Sequence, residues 1–314
     1  MNNTSTIQIK TDFDCKVYDY GQELGTTKAD TYFNVELCKG EHELTLVYSE
    51  DESISTIINS DTINYIVEKA DCDNIFVVNI SRAIIDKAKD YLAQNNFPFA
   101  FSLFLKVAKR GYAEAQYIVG ACYENEIGVE KDLTKAVEWY TKAALQGYIM
   151  AQNDLGICLR DGTGVDKDPS EAIKWLTKAA SHGCAKAALN LALSFAEGNG
   201  VKKDLAKAEE WYTKAASLGD AIAQCYLGVC YEFGSTSIEK DLSKAVEWYT
   251  KAAEQGFTTA QCKLGLCYEN GKGVKKDFNK AMKWYRQAAT QGDEVAQSCL
   301  IHLLQTQSFF PHLL

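Results

Sequence analysis

No stretch of this 314-residue sequence carries an excess of basic charge. Residues 1–80 hold 15 Asp/Glu against 5 Lys/Arg, and the remainder is balanced, so the formal charge of −9 belongs to the first segment. Nucleic-acid binding needs clustered Lys/Arg to neutralise phosphates, and no nucleic-acid partner is predicted. Uncharged apolar runs long enough to span a bilayer are also missing. The first ten residues, Met1 to Lys10, have neither a basic n-region nor an apolar h-region. The expectation is a soluble, cytoplasmic protein without direct membrane insertion. Histidine is scarce, and His42, His182, His302 and His312 fall in no metal or triad spacing. No Gly-Lys-Ser/Thr follows any Gly-x-Gly turn, so these turns do not read as phosphate loops. No nucleophile, base and oxyanion donor assemble in the sequence, and no catalytic residue, metal or cofactor is implied. Disorder is excluded in turn by an apolar fraction of 46%.

Cysteine, by contrast, is plentiful. Eleven residues with no export signal point to free thiols rather than a disulfide framework. Cys122, Cys158, Cys230 and Cys267 occupy one recurring slot and read as small buried hydrophobes. The pairs Cys225/Cys230 and Cys262/Cys267 are five apart, which on a helix turns the two thiols about 140° from each other. That is a poor arrangement for a zinc or redox site.

The recurrence of that slot reflects a repeat. Ala115-Gln116, Ala151-Gln152, Ala187-Ala188, Ala223-Gln224, Ala260-Gln261 and Ala296-Gln297 follow one another at 36, 36, 36, 37 and 36 residues. Trp139, Trp175, Trp211, Trp248 and Trp284 keep the same rhythm, and both series gain their one extra residue in the same repeat. The insertion lies in the turn between Tyr231 and Asp241. Each unit reads as two helices. The first, as in Ala113 to Asn125, has small residues where helices must approach closely. A glycine-containing turn follows. The second helix opens at Asp132, Asp168, Asp204, Asp241 or Asp277, where a carboxylate caps orphan N–H groups. Apolar residues such as Leu133, Ala136, Val137, Tyr140, Ala143 and Ala144 then mark one helical face. Gly111, Gly147, Gly183, Gly219, Gly256 and Gly292 end these helices as left-handed caps.

The run Ala-Gln-x-x-x-Gly-x-Cys-Tyr, the Gly-x-Gly-Val turn and Lys-Asp-x-x-Lys-Ala-x-x-Trp-Tyr-x-Lys-Ala-Ala-x-x-Gly resemble the Sel-one-like repeat (SLR) family, a relative of the tetratricopeptide repeats. The resemblance implies a mostly α fold, a right-handed α/α solenoid of helix-turn-helix units. It places five units at 112–292, a degenerate helix pair at 81–111, and a capping helix with an apolar tail at 293–314. Some exported relatives tie the helices of a unit with disulfides, but the second helices here offer only alanine as partner.

In residues 1–80 the period changes to two, at Ile7/Ile9, Cys15/Val17, Phe33/Val35/Leu37, Leu44/Leu46 and Asn74 to Ile80. Glycine turns separate these runs, which predicts a small all-β, sandwich-like domain; 50–70 is read as a loop, short helix or extra strand. Val17-Tyr18, Gly21, Leu24-Gly25-Thr26-Thr27 and Lys39-Gly40-Glu41-His42-Glu43-Leu44 resemble a PEGA-type β-domain, with Lys28 in place of that family's proline. This resemblance implies a contact or targeting module.

Almost everything that repeats is architecture, so a binding role must sit where the repeats differ. In helix-pair solenoids the first helices line the concave face, the usual ligand surface. Three residues after the repeat alanine the series runs Ile118, Asp154, Asn190, Tyr226, Lys263, Cys299, with Glu114, Lys186, Glu124, Arg160 and Glu269 nearby. Glu114, Ile118, Asp154, Lys186, Asn190, Tyr226 and Lys263 are the candidate partner-binding residues. The leading expectation is a non-catalytic scaffold or adaptor that binds a protein or peptide. Alternatives are a structural subunit that self-associates through the β-domain or the C-terminal tail, and a hydrolase of the kind proposed for a few relatives, which no residue here supports.

Overall fold

In the computed structural model the backbone is described over residues 4–11, 15–19, 22–27, 32–38, 44–47, 55–58, 74–78 and 80–309, with side chains at 24–26, 81–82 and 84–305. The chain forms two bodies, Met1–Gln146 and Gly147–Leu314.

Among the described residues the first body begins with seven strands: β1 (Thr4–Thr11), β2 (Cys15–Asp19), β3 (Gln22–Thr27), β4 (Tyr32–Cys38), β5 (Leu44–Val47), β6 (Ser55–Ile58) and β7 (Asn74–Val78). They form two sheets, ordered β4-β1-β7 and β3-β2-β5-β6. β1 pairs antiparallel with β4, Ile7 opposite Val35, and parallel with β7. The β2–β3 register slips between Val17 and Tyr18. Within 50–70 the structure adds the edge strand β6. The expected sandwich packing and the PEGA-type contacts fall on side chains outside the described residues.

Helices α1 (Ile80–Ala93), α2 (Phe97–Lys109), α3 (Ala113–Asn125) and α4 (Leu133–Leu145) follow in this body. Their apolar stripes meet in one core: Ile84, Ile85 and Ala88 of α1, Leu103, Phe104 and Val107 of α2, Ala115 and Val119 of α3. Each of these side chains is at most 2% exposed, so each recovers about the full transfer free energy of its apolar surface. Asp132 caps α4 by accepting the Lys135 N–H at 3.0 Å.

The second body holds α5 (Ile149–Asp161), α6 (Pro169–Ser181), α7 (Ala185–Glu197), α8 (Leu205–Ser217), α9 (Ala221–Phe233), α10 (Leu242–Glu254), α11 (Thr258–Asn270), α12 (Phe278–Thr290) and α13 (Glu294–Phe309). The odd-numbered helices are first helices and the even-numbered ones second helices, in the helix-turn-helix order of an α/α solenoid. Asp168, Asp204, Asp241 and Asp277 each accept backbone N–H groups of the helix they open. Proximity is extreme where a first helix crosses its second. A Cβ on Gly228 would stand 2.5 Å from the Tyr249 ring, and one on Gly265 2.5 Å from the Tyr285 ring. Both tyrosines are fully buried, and their hydroxyls donate to Glu232 and Glu269 at 2.8 and 2.6 Å. Burial, with the neighbouring carboxylate, pushes both hydroxyls well above their ordinary pKa.

Glutamine pairs stitch one helix pair to the next. Gln224 Nε2 donates to Ala216 O at 3.2 Å, and Gln255 Nε2 donates to Gln224 Oε1 at 2.8 Å. Gln261 and Gln291 repeat the arrangement, with Gln291 Nε2 donating to Gln261 Oε1 at 2.9 Å. In the first body Gln146 donates to Gln116 at 2.7 Å. The third unit replaces both members, with Ala188 and Leu218. The second unit keeps Gln152 but has His182, whose Nδ1 lies 2.8 Å from Lys178 O. His182→Gln is therefore expected to complete the pair and raise stability by about 1 kcal/mol, the net worth of one hydrogen bond. A chemical denaturation midpoint no higher than that of the unsubstituted protein would contradict this.

Candidate partner-binding face

The repeat alanines Ala151, Ala187, Ala223, Ala260 and Ala296 are completely buried. The residues three positions later lie to the side of that buried line. Asp154, Asn190, Tyr226, Lys263 and Cys299 are each half-buried, which keeps one edge of every side chain open to a ligand. Lys186 is exposed near the start of α7.

Two of these residues belong to a polar network between α5 and α7. Arg160 Nη1 donates to Asn190 Oδ1 at 2.9 Å, and its Nε and Nη2 hold Asp161 at 2.8 and 2.9 Å. Asn190 Nδ2 donates to Asn153 Oδ1 at 3.3 Å, and Asn153 Nδ2 to Asp154 Oδ1 at 2.7 Å. The Arg160 guanidinium holds the Asp161 carboxyl below its usual range. Asn153, only 1% exposed, fixes the amides from beneath. These hydrogen bonds fix the orientation of both amides.

Farther along, Tyr226 stacks on Tyr212 with ring centroids 3.8 Å apart and planes 21° apart. Burial raises the Tyr226 hydroxyl well above its ordinary pKa, and Cys230 beside it adds to this. Lys263 Nζ lies 4.0 Å from Glu232, which also receives Lys272 at 3.6 Å.

Several nearby candidates have bonds that belong to the architecture. Glu114, in the first body, accepts from Arg82 at 3.0 Å and Lys89 at 2.8 Å, tying α3 to α1. Ile118 packs against the α1–α3 core. Glu124 accepts the Tyr140 hydroxyl at 2.6 Å, as Glu269 does that of Tyr285. Sequence reading missed Asn153, Glu209 and Phe233. Each breaks the series of its repeat position: Asn153 among Tyr117, Leu189, Cys225 and Cys262; Glu209 among Val137, Ile173, Val246 and Met282; Phe233 among Asn125, Asp161, Glu197 and Asn270.

Cys122, Cys225, Cys262 and Cys267 are buried, and desolvation pushes each thiol up to about 11. They stay protonated near neutrality, which makes them poor nucleophiles and metal ligands. Among the described residues no three His, Cys, Asp or Glu side chains come together as a metal site. No described helix is long and apolar enough to cross a membrane.

Comparison with known proteins agrees with the repeat phase. The profile of the Sel1 repeat matches residues 113–148, 149–184, 185–220, 221–257 and 258–293. Among solved structures, c5321, a protective antigen of uropathogenic Escherichia coli displaying an SLR fold, is 31% identical with a TM-score of 0.65. The match covers 79% of this chain and 52% of that one. A Sel1 repeat protein from Oxalobacter formigenes is 36% identical with a TM-score of 0.62, over 65% and 59% of the two chains. Among curated proteins, DAP3-binding cell death enhancer 1 of Rattus norvegicus is 38% identical over 63 residues, and that of Mus musculus 49% over 51 residues. These matches cover 20% and 16% of this chain and only 12% and 9% of the relatives. The chain thus spans little of the curated relatives and a little over half of the two solved chains. Sel1 repeat proteins generally serve as protein-interaction scaffolds and their solenoids are typically non-enzymatic, and with five matched repeats over more than half its length this chain belongs to the Sel1 repeat family.

Proposed function

We propose that the chain is a non-catalytic adaptor that holds a protein or peptide partner on the first-helix face of residues 147–314. The observation that carries this reading is the half-buried, non-repeating line Asp154, Asn190, Tyr226 and Lys263, with Lys186 at its margin. Arg160 and Asn153 hold its polar members in one geometry. A pre-set polar face loses little side-chain entropy when a partner docks. Buried thiols that stay protonated suit a reducing, cytoplasmic setting.

The test is affinity purification from native lysate with the unsubstituted chain and a variant carrying Asp154→Ala, Asn190→Ala, Tyr226→Ala and Lys263→Ala together. The variant should lose its specific partners while keeping its helical circular dichroism. An unchanged partner list from the folded variant would refute the assignment.

A further inference from the structure

We propose that Phe233, with Lys263 and Lys272 beside it, anchors a partner segment that carries a large apolar side chain next to an acidic residue. This rests on the adaptor reading above and names the chemistry that the face selects.

Phe233 closes α9 and is 66% exposed. The other repeats place Asn125, Asp161, Glu197 and Asn270 at this position, so the fold asks for a polar, solvated residue there. The helix end itself is unusual. α5, α7 and α11 leave through left-handed caps at Gly162, Gly198 and Gly271, whereas Gly234 has φ 83° and ψ 158°. The longer turn that follows is pinned from below by Glu209, which accepts the N–H groups of Thr236 and Ser237 at 3.1 and 3.0 Å and the Ser237 hydroxyl. The ring therefore stands at the edge of a held turn, and an aromatic on a held support is the usual form of an interface anchor.

Its surroundings carry a net positive charge. Lys263 Nζ is 5.9 Å from the ring centroid. Lys263 and Lys272 both lean on the single carboxylate of Glu232, whose side chain is 12% exposed and also takes the Tyr249 hydroxyl. Two ammonium groups against one carboxylate leave a positive charge beside the ring. An acidic residue next to the apolar anchor of a partner would complete that balance, and a basic one would be repelled.

A displayed library of random linear peptides, selected on the full chain, tests this. Enriched peptides should carry Leu, Ile, Phe or Trp beside Asp or Glu. Phe233→Asn should weaken them about ten-fold or more, with helical content unchanged because asparagine already serves at 125 and 270. Lys263→Glu with Lys272→Glu should turn the preference toward Lys/Arg-flanked peptides. Peptides that bind Phe233→Asn as tightly as the parent, or that carry basic flanks, would overturn the anchor. If those peptides were instead lost on Asp154→Ala with Asn190→Ala, the adaptor reading would survive without it. No enrichment at all would overturn the anchor, while the adaptor reading is decided by the lysate purification above. Concentration-dependent dimerisation abolished by Phe233→Asn would show that a second copy of the chain is the occupant and would also overturn it.

Discussion

Gly273→Ala is expected to cost the fold about 3 kcal/mol, far more than Gly256→Ala one helix upstream. Both glycines have positive φ, +69° and +87°, and alanine in that region costs about 1–2 kcal/mol at either place. The difference lies in what a methyl group would meet. At Gly256 nothing stands within 4 Å, whereas at Gly273 the new Cβ would lie 2.1 Å from the backbone oxygen of Leu242, the first residue of α10. Backbone at a helix start cannot step aside as a flexible side chain can, so the turn must move and its packing is lost, adding roughly 1–3 kcal/mol. A Cβ added at Gly200 would press on the Pro169 carbonyl in the same way, and in the first body one added at Gly128 would press on that of Phe97. Denaturant unfolding of the two variants in parallel measures the contrast. Equal losses for Gly273→Ala and Gly256→Ala would mean that the carbonyl contact does not matter.

Glu209→Ala is expected to destabilise the second body by about 2 kcal/mol and to loosen the turn at 234–240. That turn has no glycine where Gly273 stands in its neighbour, so it cannot lie against the preceding helix start. It carries one more residue and docks instead on a buried carboxylate, 4% exposed. Truncation leaves the Thr236 and Ser237 donors without their charged acceptor, and each hydrogen bond to a charged group is worth about 1.5–3 kcal/mol before water partly replaces it. Glu209→Val, which installs the residue type of the other repeats, separates the two effects: it restores apolar packing but supplies no acceptor. Hydrogen exchange at the Thr236 and Ser237 amides should accelerate in both variants. Unchanged protection in Glu209→Val would show that the turn holds itself.

The same carboxylate gives a pH signature. Burial by itself would raise its pKa, but hydrogen bonds from Ser237, Ser235 and the turn amides outweigh that and hold it below its ordinary 4.5. A depressed folded-state pKa means that Glu209 contributes stability above the unfolded value and loses it as pH falls below about 4.5 through the folded one. The parent should therefore lose more stability than Glu209→Val between pH 5 and the acid limb.

The period, its phase, the Asp caps, the C-terminal glycines and the lone insertion were all legible in the residues. Each depends on neighbours within one helical turn, or on a spacing that recurs. A carboxylate before a helix caps it whatever the rest of the chain does. The amphipathic second helices and the alternation of the first strands were legible for the same reason; β6 was only one of three open readings of 50–70, because four residues carry little period.

Tertiary structure alone decided which of the non-repeating residues are already spoken for. Glu124 is taken by Tyr140, 16 residues away, and Glu114 by Arg82 and Lys89, 32 and 25 residues away. Such partners meet by packing of helix on helix, where no local spacing announces them. Glu209 reads in sequence as a fault in an apolar series and in space as the support of the inserted turn. Phe233 reads as one more aromatic, and only its place at the solvated end of α9, where the other repeats carry exposed polar residues, makes it an open one. Repetition specified the scaffold through local rules, and long-range packing determined which departures from it remain open to a partner.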